Sequence, residues 1–216
     1  MTDGGFCLEA CQRYKNAMKN YVELLQRGNA LMDIGLYREA VMYYDQVIEI
    51  NQQCERAWHN KGAIFHDEEK YLQALDCFNK AIAINPKNKD SWNYKGLALA
   101  NILRLNEALG CYDKAIAINS KDIIVWFNKG IALLRLGNDL EALRCFDAAL
   151  KIDKKDYESW FAKGDILRKI GRYWDAAICY RNGLIYCDDD NDYFMAKKDD
   201  IIRTLVQSEK YSCEII

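Results

Sequence analysis

Two histidines, His59 and His66, are the chain's whole supply of imidazole. They stand two helical turns apart with Asp67 beside the second, so on a helix they share one face. Two imidazoles and a carboxylate could hold a metal ion, or could act as a base on a nucleophile. Neither chemistry has the rest of its apparatus. The chain has no H-E-x-x-H, no G-x-S-x-G and no glycine-rich phosphate loop. A histidine pair on a polar helix face reads as a solvated contact. The expectation is a chain that is not an enzyme and needs neither cofactor nor metal.

Cysteine is the other reactive type, with nine residues. Four of them, Cys77, Cys111, Cys145 and Cys179, recur at one constant interval. Equivalent positions in packed helical units lie about 8–10 Å apart, beyond the roughly 7 Å between Cα atoms that a disulfide tolerates. Free cysteine packs as a small hydrophobe, so this series reads as core filler. Cys7 and Cys11 share a face if the N-terminal segment is helical, a weak pointer to metal or redox chemistry that no C-x-x-C pair supports. The odd count, with no basic and apolar leader pattern in Met1–Gln12, fits a reducing compartment and a cytoplasmic location.

The elements that carry these residues are repeats. Trp58, Trp92, Trp126 and Trp160 recur at the same interval as the cysteines. One helical turn after each comes Gly62, Gly96, Gly130 or Gly164, and then, again at equal spacing, Ala74, Ala108, Ala142 or Ala176. A fixed period of this size marks one supersecondary unit stacked on itself. The frame divides the chain into 21–54, 55–88, 89–122, 123–156 and 157–190; the first unit has Leu24 for the tryptophan but keeps Gly28, Ala40 and Tyr44. Apolar spacing within each unit is helical in two runs. The runs break at Gly35, Glu69, Leu103, Gly137 and Gly171, and units break at Asn51, Asn85-Pro86, Asn119, Asp153 and Cys187-Asp188. Each unit is therefore expected to be two antiparallel helices of about 14 residues, roughly 21 Å long. A glycine at the eighth place costs about 1 kcal/mol of helix propensity, so close packing of the pair must offset it. The facing alanine removes bulk, and each tryptophan is expected to fill the space between units.

Composition agrees with a binding scaffold. Net charge is −2, half the residues are hydrophobic and 29% are charged. No global field favours nucleic acid or an anionic membrane, and no stretch nears the roughly 20 apolar residues of a membrane span.

The pattern W-x2-L-G-x2-Y followed by A, F, A and P resembles the tetratricopeptide repeat. In the second unit it is carried by Trp58, Gly62, Phe65, Ala74, Phe78, Ala81 and Pro86, while the leucine place is basic throughout: Arg27, Lys61, Lys95, Lys129 and Lys163. The resemblance implies an all-α fold, a right-handed α-solenoid of five tandem helix-turn-helix repeats over 21–190. An N-terminal segment, 1–20, is expected to be helical over 6–20. A capping helix and tail occupy 191–216, where Tyr193, Phe194, Ile201, Ile202, Leu205 and Val206 alternate with charge.

The resemblance also implies that the first helix of each repeat lines a concave groove, with places 2, 5, 6, 9, 12 and 13 facing it. Those places hold an apolar stripe, Ile124, Phe127, Ile131 and Leu134, flanked by Tyr94, Leu97 and Phe161. They also hold amides, Asn29, Asn60, Asn93, Asn101 and Asn128, each able to pair with an extended peptide backbone. Arg135 sits at the edge of the stripe. The places of a carboxylate clamp hold Leu25, Asn29, Asn60, Asp90 and Tyr94; its cations are missing, which argues against recognition of chaperone tails. The expected site is thus Asn60, Asn93, Tyr94, Leu97, Asn101, Phe127, Asn128, Ile131, Arg135 and Phe161, binding a peptide segment of a protein partner. The alternative is a self-associating structural scaffold, a homodimer acting through its ends or convex face, with Trp174 and the terminal helix in the contact.

Overall fold

The computed structural model describes residues 20–187, 201–204 and 206, and all regular structure among them is α-helical. Helix α1 is described over 20–33. The next four are α2 (Tyr37–Ile50), α3 (Glu55–Asp67), α4 (Tyr71–Ile84) and α5 (Lys89–Asn101). Then come α6 (Leu105–Ile118), α7 (Ile123–Arg135), α8 (Asp139–Ile152), α9 (Tyr157–Lys169) and α10 (Tyr173–Tyr186). A further helical segment is described at 201–204 and 206. Helices α1 to α10 form successive pairs in the frame set by the tryptophans. They divide into two compact units, Met1–Ile118 and Asn119–Ile216. The expected helix over 6–19 and the segments 188–200 and 207–216 lie outside the described residues.

Local chemistry explains where the helices stop. The last residue of each inter-helix turn adopts a left-handed backbone: Gly35, Gly137 and Gly171 at φ +78° to +81°, and Glu69 and Leu103 at +59° and +63°. The pairs Leu36 N–H to Leu31 C=O (2.9 Å) and Lys70 N–H to Phe65 C=O (2.8 Å) close the ends in the Schellman manner. Between repeats, the side-chain oxygens of Asn51, Asn85, Asn119 and Asp153 each accept the N–H two residues on, at 2.8–3.2 Å. That Asx turn is why an amide or carboxylate holds the place in each of them.

Within each pair the eighth-place glycine meets an aromatic ring. A Cβ at Gly62 would lie 2.8 Å from Phe78, and at Gly164 2.5 Å from Tyr180. The alanines Ala40, Ala74, Ala108, Ala142 and Ala176 are fully buried, as are Tyr44, Phe78, Tyr112, Phe146 and Tyr180. One core cluster joins Tyr44, Val47, Ala57 and Ile64 across the first two repeats. Another joins Phe161, Leu167, Tyr180 and Ile201, so the last described helical segment contributes to the core of the fifth repeat.

Candidate functional site

The first-helix face of the unit Met1–Ile118 is built from α1, α3 and α5. Its amides are largely engaged with one another. Asn60 Nδ2 donates to Asn29 Oδ1 at 2.8 Å, and the Tyr44 hydroxyl donates to the same oxygen at 3.0 Å. Asn101 Nδ2 donates to His66 Nε2 at 3.2 Å, which leaves the His66 Nδ1–H directed at Asp67 Oδ1, 3.4 Å away. Asn60 is half-buried and Asn101 exposed. Asn93 is only 8% exposed and offers almost no surface. Its expected role in orienting a peptide is corrected: the fifth place of the first helix turns inward here.

Tyr94 is half-buried at the centre of an aromatic cluster. It stacks on Phe78 with centroids 5.7 Å apart, and meets His59 and His66 edge-on at 5.6 and 5.8 Å. His59 Nδ1 lies 2.9 Å from Ser91 Oγ. Burial holds the His59 imidazole below its ordinary range, against the opposing pull of Glu55 and Asp90. Burial, then Asp67 and Asp90, push the Tyr94 phenol up. The lowered His59 range favours the neutral imidazole, which the hydrogen bond ties to the buried Ser91. Leu97, on the same helix as Tyr94, is half-buried.

In the unit Asn119–Ile216 the face is built from α7 and α9; α7 contributes an apolar strip, and α9 carries the charged Glu158, Asp165, Arg168 and Lys169. Ile124 is 64% exposed, while Phe127, Ile131 and Leu134 are half-buried one to three turns along the same helix. The Phe127 ring packs on Phe146 at 5.6 Å. Asn128 is half-buried and Arg135 exposed. Phe161 is a second correction. It is fully buried, packed on Tyr157 and Tyr180 at 6.1 and 6.5 Å, and its ring fills the space that a Cβ on Gly183 would need. It is core, not contact surface. Ser159, which stands where the fifth repeat matches Ser91, has a buried hydroxyl with no hydrogen bond among the described residues; Phe127 occupies the place of His59 and cannot pair with it.

A repeated device at the basic seventh place was missed by sequence reasoning. Lys61, Lys95, Lys129 and Lys163 each lie over the tryptophan one turn before, 5.4–5.9 Å from its centroid. Each of those indoles is half-buried, and its N–H donates to a carbonyl in the preceding turn, Gln52, Pro86, Ser120 or Lys154, at 2.9–3.1 Å. Lys61 also pairs with Asp45, and Lys163 with Asp147 at 2.6 Å, in the repeat before. This explains the departure from leucine: the aliphatic stem covers the indole, and at Lys61 and Lys163 the ammonium also ties successive repeats. The signal, an aspartate at a set distance before the lysine, was present in the sequence but carries no meaning until the repeats are stacked.

The cysteine series, Cys77, Cys111, Cys145 and Cys179, is buried, and none of its members is in a disulfide. Burial pushes the Cys77 and Cys179 thiols up to about 11, which suppresses the reactive thiolate. Among the described residues no three His, Cys, Asp or Glu side chains are placed to hold a metal ion. No helix there is long and apolar enough to cross a membrane.

Matches to the tetratricopeptide repeat family cover residues 24–54, 55–88, 77–110, 123–156 and 145–177, well over half of the chain. No curated protein matches the sequence. Among solved structures, YrrB, a TPR protein with an unusual peptide-binding site, is 21% identical with a TM-score of 0.68, over 87% of this chain and 97% of that one. The PilF protein of Pseudomonas aeruginosa is 18% identical with a TM-score of 0.74, over 89% and 90%. MamA is 16% identical with a TM-score of 0.70, over 74% and 93%. At these identities the likeness is one of fold.

Proposed function

The chain belongs to the tetratricopeptide repeat family, and from that premise we propose that it is a non-catalytic scaffold that binds a peptide segment of a partner protein on its first-helix face. The observation that carries this is the apolar strip Ile124, Phe127, Ile131 and Leu134 on α7, where a solvent-facing helix would ordinarily be polar. Alternate side chains of an extended segment, or one face of a helical one, would bury on Phe127 and Ile131, with Asn128 meeting its backbone and Arg135 its rim. In the first unit Tyr94 and Leu97 offer the apolar surface and Asn60 and Asn101 the polar groups. Asn93 and Phe161 are left out because they are buried. The likeness to YrrB, itself a peptide-binding protein by description, agrees with this reading.

The test is retention of a partner by the intact chain and by Phe127→Ala with Ile131→Ala. Loss of retention by the double variant, with Leu140→Asp on the exposed outer side of α8 behaving as wild type, is the expected result. Retention by the double variant refutes the placement. A second reading, self-association, is favoured by Trp174, which is 59% exposed at the start of α10 and lines an open cleft with Gly171, Arg172 and Asp175. It predicts a mass above 25.1 kDa that falls on dilution and in Trp174→Ala; a monomer at all concentrations removes it.

A further inference from the structure

Two phenylalanines hold the same place in successive repeats and differ in exposure. Phe127 on α7 keeps surface, while Phe161 on α9 is fully buried. The difference traces to the helix that closes each pair. In the fifth repeat the Phe161 ring lies directly on the backbone of α10 at Gly183. A Cβ there would stand 2.6 Å from Cε1, 2.8 Å from Cδ1 and 3.2 Å from Cζ. In the fourth repeat the equivalent residue of α8 is Ala149, fully buried. Its methyl fills the equivalent of the space that the Phe161 ring has over Gly183, and a packed interior has no second such space.

A phenylalanine in a helix has two common χ1 directions. With the one toward α8 closed by a methyl, the Phe127 ring is left at the groove face, where it rests against Phe146 at 5.6 Å. The ring at the same place in the second repeat follows the same rule: His59 faces Ala81 by repeat equivalence and keeps some surface. Tyr157 and Ile201 add to the enclosure of Phe161, but neither could offset a contact of 2.6 Å with a methyl. Glycine is a poor helix former, so its place inside α10 is explained by the ring it admits.

We propose that Ala149 is a positioning residue of the α7 strip and Gly183 its counterpart: together they set which first helix offers a ring to a partner. The methyl of Ala149 holds Phe127 out beside Ile124 and Ile131, and its absence at Gly183 withdraws Phe161 from the surface of α9. The apolar site of this unit is thereby confined to the fourth repeat, and α9 is left to its charged side chains. The proposal rests on the reading of the α7 strip as the contact surface.

The experiment is NMR of the full chain carrying isotope-labelled phenylalanine, with a neutral gadolinium chelate added to relax exposed ring protons. In wild type the Phe127 ring should be relaxed and the Phe161 ring protected. Ala149→Gly should cause loss of that relaxation at Phe127, whereas Ala149→Ser, which keeps the Cβ, should leave it in place. Gly183→Ala should bring the Phe161 ring into reach of the chelate. Phe146, fully buried in the same unit, reports that the repeats stay folded; if Gly183→Ala exposes it, the two Ala149 variants decide. A Phe127 ring protected in wild type, or still relaxed in Ala149→Gly, overturns the proposal. So does one protected equally in Ala149→Ser, or a Phe161 ring still protected in folded Gly183→Ala. The rings are read with no partner present, so failure here is distinct from failure of the α7 strip, which the retention test alone decides.

Discussion

Replacing either of two helical glycines by alanine should move stability in opposite directions. Gly110 is exposed in α6, and a Cβ there meets nothing within 4 Å. Gly110→Ala therefore keeps only the propensity gain, about 1 kcal/mol. Gly96 in α5 has the same gain available, but its Cβ would lie 2.5 Å from Tyr112 Cε1 and 2.9 Å from both Cδ1 and Cζ. That ring is 1% exposed, so it cannot swing clear, and α5 and α6 must separate. Overpacking of this kind costs about 1–3 kcal/mol, and a contact against three atoms of a fixed ring belongs at the upper end. The net, with about 1 kcal/mol of propensity returned, is a loss of about 2 kcal/mol. For a chain of this size each kcal/mol is about 2–4 °C in the midpoint. Thermal melts followed by helical circular dichroism should place Gly110→Ala about 2–4 °C above wild type and Gly96→Ala about 4–8 °C below. Gly96→Ala with Tyr112→Leu, which shortens the opposing side chain, should recover part of the loss relative to Tyr112→Leu alone. A Gly96→Ala protein as stable as wild type would refute the reasoning, since it would mean that the helix pair opens freely and that the glycine is not what sets its spacing.

Leu103 sits at φ +63° where three of the five equivalent turns have glycine, and it is 76% exposed. Leu103→Gly removes about 1–2 kcal/mol of left-handed strain against roughly 0.5–1 kcal/mol of added unfolded-state entropy, so a urea midpoint slightly above wild type is expected; a lower one contradicts the account. His59 is held below its usual range by burial. The unfolded chain then binds the proton more readily, so stability is full above about pH 6.5 and falls as pH drops below it. His59→Gln should flatten that part of the stability–pH curve, and an unchanged slope would assign the effect elsewhere. With thiols raised to about 11 and buried, Cys77 and Cys179 should resist iodoacetamide at about neutral pH until the chain is unfolded; native-state labelling read by peptide mass spectrometry checks this.

Most of the fold was legible because its determinants are short-range or recur. A left-handed turn needs glycine or tolerates strain within a single turn of chain, and an Asx turn needs its amide next but one to the N–H it binds. The match of glycine with aromatic ring recurs at the same separation in every repeat, from Gly28 with Tyr44 to Gly164 with Tyr180; periodicity exposed the need for close packing there but pointed to the alanine, not the ring, as the glycine's neighbour. The exposure of the proposed site's residues was legible only in part. Tyr94, Leu97, Phe127 and Ile131 lie on the anticipated helix face with surface to offer, but Asn93 and Phe161, read from the same places, are buried.

The sequence by itself determined the repeat frame, the helix boundaries and the residue types that close each pair, since those follow from backbone conformation and a fixed period. Tertiary structure decided which of the equivalent residues are free. Phe161 is enclosed by Tyr157, Tyr180 and Gly183; Asn60 gives a hydrogen to Asn29 of the preceding repeat; Lys61 and Lys163 reach Asp45 and Asp147 of the repeat before. Each outcome depends on a partner from another turn, the other helix of the pair or the neighbouring repeat. Whether such a partner is reached is fixed by how helices stack, which no local pattern encodes.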